Sequence, residues 1–173
     1  MKIFINPGHC PIFDSGACGF GMTEADTVLD IGRRVQDFLI AAGYDVELFQ
    51  YDGLEEIVAE CEEWGADLFV SIHCNAFDSK SHGTETFYCE PSYESEKLAK
   101  CIQRQIVSRL GTADRGVKSE RFYVLRYTNC TAVLVETAFI DNVGDNALLD
   151  NRREDFARAI AVGITDYVKE MSK

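Results

Sequence analysis

Short apolar runs of strand length alternate along this chain with longer stretches whose apolar residues recur at helical spacing. The runs at 67–72 (DLFVSI) and 132–135 (AVLV) are almost wholly apolar, which is typical of strands buried on both faces of a sheet. Strands of this kind separated by helices are usually parallel. The alternation therefore predicts one α/β domain over residues 1–173, with a mostly parallel central sheet and helices on both faces.

The same periodicity gives approximate boundaries for the elements. We expect strands at 2–6, 44–51, 67–72, 83–89 and 132–135, and helices at 23–43, 54–64, 95–110 and 152–171. The stretch 121–127 is either a short strand or an irregular arm. The sequence shows no internal repeat or linker, so we expect no separate second domain.

Charge and composition exclude several classes of protein. The net charge of −12 argues against a nucleic-acid partner, because phosphate backbones require a basic surface. No apolar run reaches the roughly 18 residues of a membrane span, and the N-terminus lacks the apolar core of a signal peptide. The seven cysteines are an odd number without C-x-x-C spacing, which indicates reduced thiols rather than a disulfide framework.

Residues with metal-binding chemistry follow the predicted strands. His9 comes after the first strand, His73 after the run 67–72, and Glu136 after the run 132–135, while Glu24 opens the first helix. Functional sites of α/β sheets form outside the carboxyl ends of the strands. Two histidines and a carboxylate are the ligands of many catalytic zinc sites, and a further carboxylate suits a general base. The competing interpretation is that each histidine only caps a strand end by hydrogen bonding.

Six segments resemble, in order, the zinc N-acetylmuramoyl-L-alanine amidases of the type 3 group. They are 3–9 (IFINPGH), 16–24 (GACGFGMTE), 71–76 (SIHCNA), 115–118 (RGVK), 124–126 (VLR) and 132–142 (AVLVETAFIDN). Together they span essentially the whole chain. Two residues depart from the pattern beside the first histidine: Asn6 stands where the group has aspartate, and Cys10 where it has glycine.

The resemblance implies a function and assigns the roles. His9, Glu24 and His73 would bind one Zn²⁺ ion per chain, and Glu136 would be the catalytic residue. The reaction would be hydrolysis of the amide bond between N-acetylmuramic acid and L-alanine in peptidoglycan, as in autolysins and endolysins. Peptidoglycan is thus the expected partner.

Two further residues are candidates for substrate binding. Arg115 could pair with a carboxylate of the stem peptide, and Asn75 could orient the site. An ordinary surface arginine and a turn asparagine are the alternatives. Cys10 and Cys74 each follow a candidate ligand, and thiolate is a good zinc ligand. Because successive side chains of a strand point to opposite faces, we expect Cys74 to point away from His73.

Two other functions are compatible with these residues. The same four side chains would serve a zinc peptidase or deacylase that acts on another amide, and a non-catalytic binding module would keep the fold without turnover. The residues present lead us to expect a single catalytic domain without a wall-binding domain. We also expect synthesis in the cytoplasm without a signal peptide, followed by action on the cell wall after release. The sequence does not indicate an oligomeric state.

Overall fold

A six-stranded sheet forms the centre of residues 1–172, the part of the chain that the computed structural model describes. Its strands are β1 (Lys2–Pro7), β4 (Asp45–Leu48), β5 (Leu68–Asn75), β6 (Thr84–Tyr88), β7 (Asp114–Ser119) and β8 (Thr131–Phe139). A separate two-stranded ribbon consists of β2 (Cys18–Gly19) and β3 (Met22–Thr23). The strand order in the large sheet is β4-β1-β5-β8-β6-β7.

Four neighbouring strands of the sheet run parallel, as the apolar runs predict. β1 pairs in parallel with β4 and β5, and β5 pairs in parallel with β8. β6 pairs antiparallel with β8, and β7 follows β6 in parallel, so these last two strands run in the opposite direction. The predicted α/β fold with a mostly parallel sheet is confirmed.

Helices cover both faces of the sheet, but unequally. The helices are α1 (Glu24–Ala41), α2 (Leu54–Trp64), α3 (Tyr93–Leu110), α4 (Tyr123–Tyr127), α5 (Val143–Asn151) and α6 (Arg153–Met171). The long helices α1, α3 and α6 pack on one face, where Ile5, Val70 and Val135 join the larger core. The shorter α2 and α4 pack on the other face over Phe4, Phe69 and Leu134. We call this second side the α2/α4 face. No helix among residues 1–172 has the length and hydropathy to cross a membrane.

Helix α1 begins where its sequence supplies a cap. The Thr23 side chain accepts a hydrogen bond from the backbone N–H of Asp26 at 3.3 Å, which satisfies one free donor of the first turn. Glu24 is therefore the first helical residue, and its carboxylate lies at the positive end of the helix dipole.

Several predicted boundaries are wrong. β5 extends to Asn75 and β8 to Phe139, so His73 and Glu136 lie within their strands rather than after them. Helix α3 begins at Tyr93, because Ser92 accepts from the Ser95 N–H as its cap. The strand predicted at 44–51 spans only 45–48.

Three elements do not follow the predicted pattern. The stretch 121–127 contains the short helix α4, neither a strand nor an irregular arm. The predictions omit β7, whose sequence DRGVKS contains a single aliphatic residue because this edge strand is largely exposed. They also omit α5, in which Asn142 caps the first turn but only a weak apolar stripe follows.

Candidate active site

Four side chains predicted from separate segments meet at the carboxyl end of the parallel strands. His73 and Glu136 are direct partners in the register of β5 and β8. Alternation along the strands places both on the α2/α4 face, because Ile72 and Val135 point into the opposite core. Glu24 reaches this position from the start of α1, and His9 from the loop after β1.

Glu24 joins the two histidines. Its Oε1 atom lies 2.9 Å from His73 Nδ1 and accepts from the Cys74 N–H at 3.0 Å. Its Oε2 atom lies 3.3 Å from His9 Nε2 and accepts from the Ala17 N–H at 2.9 Å. Burial alone would raise the pKa of this carboxyl, but the hydrogen bond and charge of His73 and the two backbone donors lower it overall. Glu24 is therefore an anion held in a fixed orientation.

The loop that carries His9 depends on two glycines. His9 itself has a φ of 56°, which lies in the left-handed region. A Cβ atom at Gly8 would overlap the imidazole of His73, so only glycine lets this backbone approach the ring. Gly16 has a φ of 66°, and a Cβ there would lie 2.6 Å from Glu24 Oε2. The far side of His9 is fixed by Asp14, whose Oδ2 lies 2.9 Å from His9 Nδ1.

His9, Glu24 and His73 can each direct one ligand atom to a common point, since these atoms lie within 4.8 Å of one another. Desolvation would lower the pKa of His73, but the Glu24 hydrogen bond and the charges of Glu136 and Glu24 raise it overall. Such an excess of negative charge around an imidazole suits a cation at this point. Two nitrogen donors and one carboxylate fit a catalytic zinc ion, which leaves a fourth position for water or substrate.

Glu136 has the properties of a proton acceptor beside this group. Its side chain is partly exposed to the cleft, yet its Oε2 atom is buried and has no hydrogen-bond partner among residues 1–172. Burial raises the pKa of Glu136 to about 7; the charge of His73 lowers it, while those of Glu24 and Glu85 raise it further. A carboxyl that titrates near neutrality both takes and returns a proton readily.

A cavity of about 370 Å³ opens in front of these residues. Its wall on the α2/α4 side contains Leu54 and Ile57 of α2 together with Tyr123 and Val124 of α4. Tyr51 and Phe122, both partly exposed, extend this apolar wall toward solvent. The cavity therefore lies between the two helices of the α2/α4 face and the carboxyl end of the sheet.

The two candidate substrate-binding residues lie together, but outside this cavity. Asn75 Nδ2 donates to Glu85 Oε1 at 2.7 Å, and Arg115 Nε lies 3.3 Å from Glu85 Oε2. Cys74 points into the opposite core, as expected, where its Sγ atom lies 3.4 Å from Thr137 Oγ1.

The residues predicted from the sequence do not include Asp14 and Glu85. Asp14 lies in an irregular loop, where no periodic pattern distinguishes it from the other acidic residues of the chain. Glu85 is an acidic residue within the strand predicted at 83–89, and a charge at such a position is the one signal that points to it.

A family model described as N-acetylmuramoyl-L-alanine amidase matches residues 3–166. The chain belongs to this amidase family. Among its relatives is the N-acetylmuramoyl-L-alanine amidase LytC of Bacillus subtilis, which is 42% identical over 96% of this chain and 35% of LytC. The chain thus spans about a third of the length of that relative. The uncharacterized protein YqiI of the same organism is 40% identical over 95% of this chain and 84% of YqiI.

Solved structures show the same architecture. The amidase AmiC2 of Nostoc punctiforme superposes with a TM-score of 0.92 at 34% identity, covering 98% of this chain and 97% of AmiC2. The catalytic domain of the amidase CwlV from Bacillus (Paenibacillus) polymyxa gives 0.89 at 31% identity, covering 97% and 98%. The chain therefore has both the sequence family and the fold of N-acetylmuramoyl-L-alanine amidases.

Proposed function

We propose that this chain is a zinc-dependent amidase that cleaves the bond between N-acetylmuramic acid and L-alanine in peptidoglycan. One observation carries the proposal: the partly buried group of His9, Glu24 and His73 fits one zinc ion per chain. Glu136 stands directly beside it, and its Oε2 atom has no hydrogen-bond partner within residues 1–172. Zinc, when bound, supplies a Lewis acid and makes water acidic enough to ionise near neutrality.

The protein side chains divide the remaining work. Glu136 takes a proton from the attacking water and returns it to the leaving nitrogen of L-alanine, for which a pKa of about 7 is well matched. Glu24 keeps the two imidazoles in place, and Asp14 fixes the orientation of the His9 ring through Nδ1. The apolar wall that contains Tyr51 and Tyr123 excludes water from one side of the substrate.

Asn75 and Arg115 complete the proposed site as substrate-binding residues. Their shared partner Glu85 lies opposite Glu136 in the register of β6 and β8, so they stand beside the reacting group. We further propose that the protein is made in the cytoplasm and reaches the wall after release. A zinc peptidase or deacylase that uses the same four residues is the alternative function.

The nature of the new ends in a digested wall separates these functions. Mass spectrometry of purified peptidoglycan should find new L-alanine amino termini and intact glycan strands. Cleavage within the peptide would favour the peptidase, and loss of acyl groups alone would favour the deacylase. No change in a wall incubated with zinc-loaded protein would contradict all three enzymatic proposals.

Metal analysis of variants tests the assigned roles. His73→Ala and Glu24→Gln should lose zinc and activity together, whereas Glu136→Gln should keep zinc and lose hydrolysis by roughly 10²–10⁴-fold. The control is His82→Ala, which removes the remaining histidine, an exposed one, and should change neither. Zinc loss in Glu136→Gln with retention in Glu24→Gln would show that the two glutamates have the opposite roles.

A further inference from the structure

A buried carboxylate beside the site holds two cations at the surface. The Glu85 side chain is only 5% exposed, and its Oε2 atom contacts Lys118 Nζ and lies 3.3 Å from Arg115 Nε. Its Oε1 atom accepts from Asn75 Nδ2 at 2.7 Å. The cations themselves remain accessible, since the side chain of Arg115 is 35% exposed and that of Lys118 is 43% exposed. We call Glu85, Arg115 and Lys118 the cationic corner.

The cationic corner carries a local positive charge on an acidic protein. One carboxylate faces two cations, in a chain whose net charge is −12. Arginine has five N–H donors and lysine three. The contacts to Glu85, together with one from Arg115 Nη1 to the His82 carbonyl at 3.4 Å, occupy only some of them. Donors that are held in place and still directed at solvent suit an anionic group of the substrate.

The orientation of Arg115 is fixed from a second side. Its guanidinium lies over the ring of Phe139 at 4.9 Å from the centroid. Both residues line a shallow cavity of about 280 Å³, together with Asn75 and the exposed ring of Phe77. This cavity offers one cationic wall and one apolar rim, which suits a short peptide that carries a carboxylate.

The cationic corner lies within reach of the reacting bond. Glu85 and Glu136 are direct partners in the antiparallel register of β6 and β8, so their side chains share the α2/α4 face with Cβ atoms about 5 Å apart. An extended peptide advances by at most about 3.6 Å per residue. A carboxylate at the cationic corner would therefore belong to the first or second residue beyond the scissile nitrogen.

We propose that the cationic corner is a specificity subsite for a free carboxylate on the residue that follows L-alanine in the stem peptide. This inference rests on the proposed amidase function and names the substrate class of that same site. In it, Glu85 is a positioning residue that holds Arg115 and Lys118, and the two cations make the contact. Walls in which this carboxylate is converted to a carboxamide are then poorer substrates, because the amide carries no charge for the cations to recognise.

Two soluble muropeptides that differ only at this group test the inference. They are the disaccharide tripeptides L-alanyl-γ-D-glutamyl-L-lysine and L-alanyl-D-isoglutaminyl-L-lysine, in which the γ-carboxyl group of the second residue is in peptide linkage and only its α-carboxyl group differs. The zinc-loaded wild type should cleave the acid with a kcat/KM about 10-fold higher than the amide, as expected for loss of one charge-assisted contact. Arg115→Gln with Lys118→Gln should reduce this ratio to about 1–2, because the kcat/KM on the acid falls more than that on the amide.

The matched control is the double change Arg33→Gln with Lys169→Gln. It changes the net charge by the same amount as the corner variant, but at exposed residues of α1 and α6 that lie away from the cationic corner. It should retain the wild-type preference. Thermal melting of all variants checks that the fold persists, since Glu85 loses both cations in the corner variant. A corner variant that loses activity on both muropeptides equally would show a purely structural role and overturn the inference.

Three further results would also overturn it: equal rates of the wild type on acid and amide, a preference that survives in the corner variant, or no cleavage of either muropeptide by protein that digests walls. These outcomes differ from failure of the proposed function. A protein that releases L-alanine amino termini from walls remains an amidase whatever its preference. One that releases none fails as an amidase, and the inference falls with it.

Discussion

Glu136→Gln should stabilise the metal-free protein in a pH-dependent way. Burial raises the pKa of Glu136 from 4.5 to about 7. Each tenfold change in proton affinity corresponds to about 1.4 kcal/mol, so ionising this carboxyl in the folded state costs about 3 kcal/mol at alkaline pH. Glutamine resembles the protonated acid in shape and does not ionise. The variant should therefore avoid most of this cost.

The sign of the effect follows from the raised pKa. Below about pH 4.5 the carboxyl is protonated in the folded and unfolded states alike, so wild type and variant should be equally stable. As pH rises through about 7, the wild type progressively loses the contribution of the bound proton, and the variant does not. A difference of about 3 kcal/mol corresponds to roughly 6–12 °C in Tm for a chain of this size.

Thermal unfolding in a metal chelator between about pH 4.5 and 8 measures this difference. Glu60→Gln, at an exposed position of α2, is the control and should shift Tm little at any pH. Saturating zinc should shrink the difference, because a cation beside Glu136 favours its ionised form. A Glu136→Gln protein that is no more stable than the wild type at about pH 8, or equally more stable at about pH 4.5, would refute the reasoning.

Three other substitutions have defined outcomes. Gly8→Ala should push the His73 imidazole aside and weaken zinc binding at least 10-fold, as measured by calorimetric titration. The control is Gly144→Ala, which should not weaken zinc binding, because a Cβ atom there would have its nearest neighbour at 3.4 Å. Cys74→Ala should leave zinc stoichiometry unchanged, since Cys74 points into the opposite core; a drop would identify it as a ligand. Thr23→Ala should lower stability by about 1 kcal/mol through loss of the α1 cap, and Thr23→Ser should restore most of it in thermal melts.

The parallel part of the fold can be predicted because strands buried on both faces have almost wholly apolar sequences. The runs that form β5 and β8 are apolar on both sides, since each strand lies inside the sheet between two helix layers. The polar residues that follow these runs stand out against them, which is why the sequence alone identifies His73 and Glu136 as candidates. The strand boundaries are harder to predict, because nothing in either run marks where hydrogen bonding to its neighbour ends.

The two reversed strands, β6 and β7, give a weaker signal in the sequence. β7 lies at the edge of the sheet. Because Asp114 and Arg115 are exposed there, its sequence shows neither an apolar run nor a clear alternation of apolar and polar residues. The meeting of Arg115 with Glu85 depends on the pairing of β6 with β7, and this pairing joins segments about thirty residues apart. Single-sequence patterns contain no register information over such a distance. The sequence therefore predicts Arg115 as a candidate without its partner.

The reversed strands β6 and β7 carry a different set of candidate site residues from the parallel strands. The group of His9, Glu24 and His73 comes from the loop after β1, from α1 and from β5, whereas the cationic corner comes from the start of β6 and from β7. The connection between β5 and β6 passes through an exposed loop at 76–82, which contains Phe77 and ends beside Arg115. Insertions or substitutions there would alter the surroundings of the cationic corner without moving His9, Glu24 or His73. Substrate preference in this architecture is thus free to diverge while the hydrolytic chemistry stays the same.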